Sequence, residues 1–422
     1  MAIEYVMPDW DDYLDTGFNF QNDTFSEPQD GKPQRAYLHE IMGDETPYDG
    51  ILVSLNQIEK KKGALKKYGI TGADKTIREI MRIPERIKVI GDCGAFSYKD
   101  KSEPSIDPKT AAKLYNDYGF DLGASVDHMI IDEVQEEKSD GTIEKRALSD
   151  VEKAERVNLT INNARIFIQE VIANKYQFTP LGSVQARTPE EYAQVFDKYI
   201  KMGYRQIALG SLIPKDDDTI REIITEVGAH YRALPESIRN EVGIHLFGIL
   251  RPALFNLFSE NGIASFDSAS YFRKAWLKSN QNYLGTNGKW YAAIRVPQSS
   301  LPRNRKDLIK KGLNLNEVEA LERQVLESLN AFNEESNIET VLNALIQYDS
   351  YFERISDGGE KLRKAYRRVL TDRPWEQCQC AICQAIGIHA LVFRGYNRNK
   401  RRGFHNTYIF YHQYNGGVEY EH

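Results

Sequence analysis

The sequence predicts a closed (β/α)8 barrel carrying a helical insertion and a C-terminal subdomain built on a cysteine cluster. Three observations predict it. Short apolar strand-like segments alternate with amphipathic helical ones from about residue 50 to 270. The polar residues of that region collect at the C-terminal ends of the strand-like segments, as Asp92, Asp127, Gln185, Ser211 and Asp267. Three of the four cysteines fall inside "CQCAIC", residues 378–383.

The strand candidates, in order, are "GILVSLNQI" (50–58), "RIKVIGDCGAFSY" (86–98), "DLGASVDHMI" (121–130), "PLGSVQA" (180–186), "YRQIALGSL" (204–212), "GIHLFGIL" (243–250) and "IASFDSAS" (263–270). Between them "DPKTAAKLYNDYG" (107–119), "DVEKAERVNLTINNARIFIQEVIANK" (150–175), "TPEEYAQVFDKYIKMG" (188–203) and "DDTIREIITEVGAHYRAL" (217–234) show helical spacing of apolar residues. Repeated strand-then-helix units with buried-looking strands imply a parallel sheet, and this number of units implies closure into a barrel. An open doubly wound sheet competes, but no G-x-G-x-x-G follows the first strands. In a barrel the C-terminal strand ends share one rim, where active sites lie.

Four regions follow: an N-terminal extension (1–49), the barrel (50–276), a mainly helical insertion (277–370) and a metal-binding subdomain packed on the barrel (371–422). The insertion rests on "LNEVEALERQVLESLNAFNEES" and "IETVLNALIQYDSYFERI", with apolar residues three and four apart. The chain of 422 residues is 41% hydrophobic with a net charge of −6, ample to close a core and unlike a histone-like polycation. Local basic runs at 60–67, 303–311, 361–368 and 394–402 read either as solvated faces or as phosphate-tracking surfaces. No signal-peptide pattern opens the chain, no apolar run has membrane-spanning length, and the few clustered cysteines suit a reducing compartment. A cytoplasmic protein without membrane contact is expected.

Cys378, Cys380 and Cys383 are spaced so that three thiolates can converge on one tetrahedral ion, and thiolate with imidazole is a structural zinc set. Three buried apolar cysteines are the plain alternative. His389, His405 and His412 lie downstream as candidate fourth ligands; His405 is chosen because His389 follows too closely to bend back. Asp92 and Asp267 each sit just past an apolar strand. A lone aspartate there is ordinarily a cap or turn former, but two on one rim can divide the labour of nucleophile and proton carrier, as retaining glycosidic cleavage requires. Asp127 and Gln185 can hydrogen-bond the edge of a planar heterocycle, and small residues at "LGSL" (209–212) let a ligand approach backbone amides. His128 and His245 read as core or supporting histidines rather than ligands.

Taken in series, these segments resemble the tRNA-guanine transglycosylase family, barrel enzymes with a zinc subdomain that exchange guanine in a polynucleotide for a 7-deazaguanine. "GDCGAFSY" resembles that family's D-S-G-G-F-Q segment, which implies a proton-handling role for Asp92 and places Phe96 in the pocket, where Phe96 or Tyr98 would stack on the base. "SVDHMI" and "GSVQA" place Asp127 and Gln185 on the base-reading pair, and "LGSL" places Gly210 and Ser211 on the G-G-L loop. "HLFGILRP" resembles the L-M-G-V-G-x-P stretch, and "SFDS" resembles the F-D-C segment, which implies that Asp267 is the nucleophile. C-x-C-x-x-C followed by His405-Asn406 is similar to the family's zinc ligand set. The departures, Gly94-Ala95-Phe96-Ser97 for G-G-F-Q and "ASYFRKAW" for the P-T-R run, with the long helical insertion, resemble the DNA-modifying branch. That resemblance implies structural zinc and a DNA substrate accepting a 7-deazaguanine such as 7-cyano-7-deazaguanine. It further implies accessory ATPase- or helicase-like partners, and a 394–402 run offered to the phosphate backbone. The alternatives are the same exchange on tRNA, or a non-catalytic zinc-containing nucleic-acid-binding subunit. Oligomeric state is not readable from the sequence.

Overall fold

The computed structural model describes residues 3–9, 12–29, 34–58, 61, 63, 75–138, 140–278, 280–333, 335–352 and 359–416. They form two compact units, the described residues of Met1–Trp10 and Tyr48–Ala269 making one and those of Asp11–Pro47 and Ser270–Val418 the other.

The first unit is a closed barrel of eight parallel strands: β1 (Glu4–Pro8), β2 (Gly50–Ser54), β3 (Lys88–Asp92), β4 (Leu122–Ala124), β5 (Thr179–Val184), β6 (Gln206–Leu209), β7 (Gly243–Leu246) and β8 (Ile263–Asp267). Each strand pairs with its sequence neighbours, and β1 closes the ring by pairing with both β2 and β8. Six strands fall within the segments picked out by alternation and β5 begins one residue ahead of its segment; the eighth strand, "EYVMP", lies in the stretch expected to precede the barrel. A closed barrel leaves no unpaired edge, and these five residues supply the backbone groups that satisfy β2 and β8.

Because side chains alternate across a strand, each strand sends every second residue inward. Val6, Ile90, Ala124, Leu181 and Ala208 fill the barrel interior together. Two residues further along, on the same inward face, come Asp92 after Ile90, and Ser183 then Gln185 after Leu181. The outward positions between them are glycines: a Cβ at Gly91 or Gly123 would meet the ring of Tyr115 at 2.1 or 2.5 Å, and one at Gly182 would meet Tyr199 at 2.6 Å. Removing the side chain there lets large aromatic rings of the covering helices lie flat on the sheet. The helices begin with side-chain caps, Asp107 before Pro108–Asp117, Ser149 before Asp150–Asn174, Thr188 before Pro189–Met202 and Asp216 before Asp217–Ala233. An antiparallel hairpin, Glu133–Glu137 with Ile143–Ala147, follows β4 and was not anticipated.

The second unit is mainly helical. Its helices include Ser270–Leu277, Pro302–Lys310, Leu315–Asn330, Ile338–Ser350, Glu360–Asp372, Ala381–Ile386 and Gly395–Asn415, joined by two-stranded pairings such as Tyr283–Leu284 with Trp290–Tyr291. Here one expectation is corrected. The 394–402 run is not a phosphate-tracking face, for Arg394, Arg398, Arg401 and Arg402 are all buried. Asp23 pairs with both Arg394 and Arg398, and Glu322 pairs with Arg394 at 2.7 Å. Arg402 donates to the carbonyls of Ala275, Ala390 and Val392 at 2.7 to 3.2 Å, and Arg401 to that of Asp15 at 2.6 Å. A guanidinium carries five fixed donors, so it can satisfy several loop carbonyls that water no longer reaches. The 60–67 run lies, apart from Lys61 and Gly63, outside the described residues. Among the described residues no helix is long and apolar enough to cross a membrane.

Candidate active site and metal cluster

The C-terminal strand ends bring Asp92 (end of β3), Asp127 (after β4), Gln185 (after β5), Gly210 and Ser211 (after β6) and Asp267 (end of β8) to one rim of the barrel. The structure therefore brings together the pocket residues taken from the sequence. Asp267 is buried, and both of its hydrogen bonds fall on one oxygen. His245 Nε2 lies 3.1 Å from Oδ1, and the backbone N–H of Gly248 donates to the same atom at 2.9 Å. His245 Nδ1 lies 2.8 Å from Ser265 Oγ. A neutral imidazole fits both contacts, Nε2–H donating to the carboxylate and Nδ1 accepting from the serine. Oδ2 of Asp267 has no hydrogen-bond partner among the described residues. Gly248 reaches its position with φ +72°, a left-handed backbone that glycine adopts without strain.

Asp92 is half-buried. Burial first, then the charge of Asp127, then that of Asp267, raise its pKa from 3.8 to about 7, against the pull of hydrogen bonds from the Gly94 backbone and Ser54. The carboxyl thus holds its proton near neutrality first because it is withdrawn from water and then because of the charges of two other carboxylates. Asp92 and Asp267, at the ends of β3 and β8, lie within electrostatic reach of each other across the rim.

Asp127 and Gln185 face each other in a continuous chain of hydrogen bonds. Ile130 N–H donates to Ser211 Oγ at 2.9 Å, and the Ser211 hydroxyl donates to Gln185 Oε1 at 2.5 Å. Gln185 Nε2 then donates to Asp127 Oδ2 at 2.5 Å, while Cys93 Sγ donates to Asp127 Oδ1 at 3.1 Å. The chain fixes which end of the Gln185 amide points to Asp127. Burial raises the pKa of Asp127, opposed by the Cys93 and Gln185 hydrogen bonds. Ser211 sits at φ 54°, unusual for a residue with a side chain and costing about 1–3 kcal/mol. At Gly210 a Cβ would meet Gln185 Nε2 at 2.2 Å, so only glycine leaves the glutamine its place. Gly94 has φ +86° and the same constraint, a Cβ there meeting Asn56 Nδ2 at 2.1 Å.

Of the two aromatic rings considered for stacking, the structure separates them. Phe96 is 70% exposed, with Lys99 Nζ 5.6 Å from its ring centre. Tyr98 is buried, its hydroxyl donating to the Asp127 carbonyl at 3.0 Å and touching Cys93 Sγ at 3.1 Å, so its ring is not available to a base. His128 is a supporting residue, Nε2 lying 2.9 Å from the Lys101 carbonyl.

In the second unit Cys378, Cys380, Cys383 and His405 are all buried, with their potential ligand atoms within 4.8 Å of one another. The three Sγ atoms lie 3.5, 3.5 and 3.3 Å from His405 Nδ1. His405 Nε2 lies 2.7 Å from the Leu284 carbonyl, which fixes the ring with Nδ1 facing the sulfurs. The Tyr283 ring stacks on it at 3.9 Å between centres. Backbone N–H groups of Cys380 and Cys383 point at Cys378 Sγ and Cys380 Sγ, at 3.5 and 3.4 Å. Asn406 ties the same strand, accepting from Leu284 N at 2.9 Å and donating to the Asn282 carbonyl at 2.8 Å. The four residues can hold a metal ion. His389 is not among them; its Nδ1 lies 3.4 Å from Arg398 Nε and its ring is tilted against that of Phe20, 5.3 Å between centres.

No family model matches the chain. It is, however, 31% identical over 422 residues to a DNA-guanine transglycosylase of Salmonella montevideo, an alignment covering 97% of this chain and 96% of that protein. The chain belongs to the DNA-guanine transglycosylase family. A more limited similarity, 27% over 205 residues, joins it to a tRNA-guanine(15) transglycosylase of Methanococcus vannielii and covers 47% of this chain and 28% of that one. The protein is thus a base-exchanging glycosyltransferase.

Three features of the rim lay beyond sequence reasoning: the Cys93 thiol on Asp127, the Gly248 N–H on Asp267 and the Ser265 contact of His245. His245 was readable as a supporting residue, but its partner was not, since spacing along the chain does not give the register in which β7 and β8 pair. The raised pKa of Asp92 has a consequence for stability. A carboxyl that binds its proton more tightly folded than unfolded costs the fold nothing below pH about 4, an increasing amount up to about 7, and a constant amount above. Asp92→Asn removes that cost. Its melting temperature should exceed the parent's at pH 8, with the gap closing as the pH falls toward 4. A gap independent of pH would show that Asp92 titrates normally.

Proposed function

We propose that the protein exchanges guanine in DNA for a 7-deazaguanine through a covalent intermediate on Asp267. The observation that carries this reading is the pair Asp267, with one oxygen held by His245 and Gly248 and the other without a partner, and Asp92, protonated near neutrality beside it. The target base leaves the helical stack, since its glycosidic bond is out of reach inside a duplex. Asp127 and Gln185 trade their mutual hydrogen bond for the edge of the base, and the exposed Phe96 covers its face. Oδ2 of Asp267 attacks C1′, the C1′–N9 bond breaks, and Asp92 gives its proton to the departing guanine. A 7-deazaguanine then takes the same place. Asp92 removes its N9 proton, N9 attacks C1′, and the Asp267 carboxylate leaves. Two displacements at one carbon retain its configuration. Donors already set on Oδ1 stabilise the carboxylate as it leaves without reorganising.

DNA is favoured as polymer by the similarity along nearly the whole chain to a protein named for DNA, against partial similarity to one named for tRNA. Incubating the enzyme with labelled 7-cyano-7-deazaguanine and either DNA or tRNA, then analysing digested nucleosides by mass spectrometry, should show label in DNA. Asp267→Asn should incorporate none. Label in tRNA alone would overturn the polymer, and incorporation by the Asn variant would overturn the nucleophile.

Zinc is the ion we assign to the cluster, in a structural role. Zn–S of about 2.3 Å and Zn–N of about 2.0–2.1 Å give a tetrahedron whose sulfur–nitrogen edge is about 3.5 Å. The Sγ–Nδ1 separations of 3.3 to 3.5 Å match it. With Cys378, Cys380, Cys383 and His405 as ligands no position is left open, so the ion would supply cross-linking and no chemistry. Purified protein should contain about one zinc per chain, and its removal by a strong chelator should lower the melting temperature by roughly ten degrees or more. Metal-free protein with an unchanged melting temperature would contradict the assignment.

A further inference from the structure

The helix Pro302–Lys310 in the second unit carries Arg303, Arg305 and Lys306 and ends on Lys310, with Lys311 directly after; Asp307 is its one carboxylate. It is anchored by the single buried residue Leu308. Arg303, Lys306 and Lys310 stand at i, i+3 and i+7, which places them on one face, opposite Leu308. All three are exposed, and none has an ion-pair partner among the described residues. The neighbouring basic runs differ. In 361–368, Arg363 and Arg367 are held by Glu339 and Arg368 by Asp372, while the arginines of 394–402 are buried.

Beside this helix lies a cleft of about 630 Å³, lined by the cations Arg303, Lys310 and Lys311, by Asp307 and Leu308, and by the rings Tyr351 and Phe352, with Lys306 next to it on the same helix. Both rings are half-buried. Seven residues of helix span about 10 Å, so the three cations form a short row along the helix. A row of cations next to aromatic rings is the chemistry that holds an unpaired strand, phosphates on the cations and bases on the rings.

We propose that this cleft binds single-stranded DNA. The proposal rests on the DNA reading above, but its test does not need turnover. The full-length triple variant Arg303→Gln, Lys306→Gln, Lys310→Gln would be titrated with a labelled single-stranded oligonucleotide across a range of salt concentrations, following anisotropy. Each single-strand phosphate contact contributes about 0.7 to the slope of log affinity against log salt. The variant's slope should therefore fall by about 2, and its Kd at 0.1 M salt should rise roughly a hundredfold. Its melting temperature should stay unchanged, because the substituted side chains are exposed. The charge-preserving variant Arg303→Lys, Lys306→Arg, Lys310→Arg should keep the parent slope. A triple variant that binds like the parent, or a loss confined to duplex DNA, overturns the proposal. Base exchange into tRNA alone would fail the DNA reading and leave this binding result to stand or fall by itself.

Discussion

Two donors on one carboxylate oxygen set the geometry on which the rim depends. His245 and the Gly248 N–H both address Oδ1 of Asp267, so the carboxylate cannot rotate freely and its second oxygen is left for other chemistry. That arrangement needs β7 and β8 side by side with matching inward faces, which the closed barrel imposes. The same closure crowds Asp92 and Asp127 into the space above the apolar layer of Val6, Ile90 and Leu181. Carboxylates that meet in so little water cannot all ionise at once. Difference between the two catalytic candidates follows from surroundings rather than residue type: one carries two donors on a single oxygen, the other is buried near two other acids with hydrogen bonds from Gly94 and Ser54.

The Asp127–Gln185 side of the rim uses a different device. Asp127, Gln185 and Ser211 are locked in a directional chain that starts at a backbone N–H and ends on Asp127, where the Cys93 thiol also donates. The strained backbone of Ser211 and the missing side chain at Gly210 are costs that make sense only if the glutamine must stand where it does. In the second unit the arginines do the equivalent structural work, holding loop carbonyls around the long C-terminal helix that also carries His405.

Much of this was legible in the primary structure, and the reasons for the rest are physical. Alternating strand and helix patterns reveal seven barrel strands because four of them are followed by long helices with their own period and all seven are short apolar runs. "EYVMP" escapes because five residues without a following helical pattern carry too little signal, and only closure demands them. The hairpin at 133–147 is marked by Asp140-Gly141, a turn dipeptide whose glycine has φ +80°, but its strands are charged on both faces and show no alternation. Motif resemblance reached Asp92, Asp127, Gln185 and Asp267, whereas their partners come from other strands and are invisible to spacing. The 394–402 run misled because charge was read as exposure. Buried arginine is unusual, and its compensation by carbonyls of Ala275, Ala390 and Val392 is a tertiary fact.

The central claim is that Asp267 is the atom donor to the sugar and Asp92 the proton carrier. Denaturing the enzyme during turnover on DNA without an incoming base, digesting it and mapping the modified peptide by mass spectrometry tests this most directly. The account predicts a deoxyribose ester on Asp267, with Asp92 unmodified. An ester on Asp92, or an enzyme that exchanges bases while no peptide carries sugar, would contradict it.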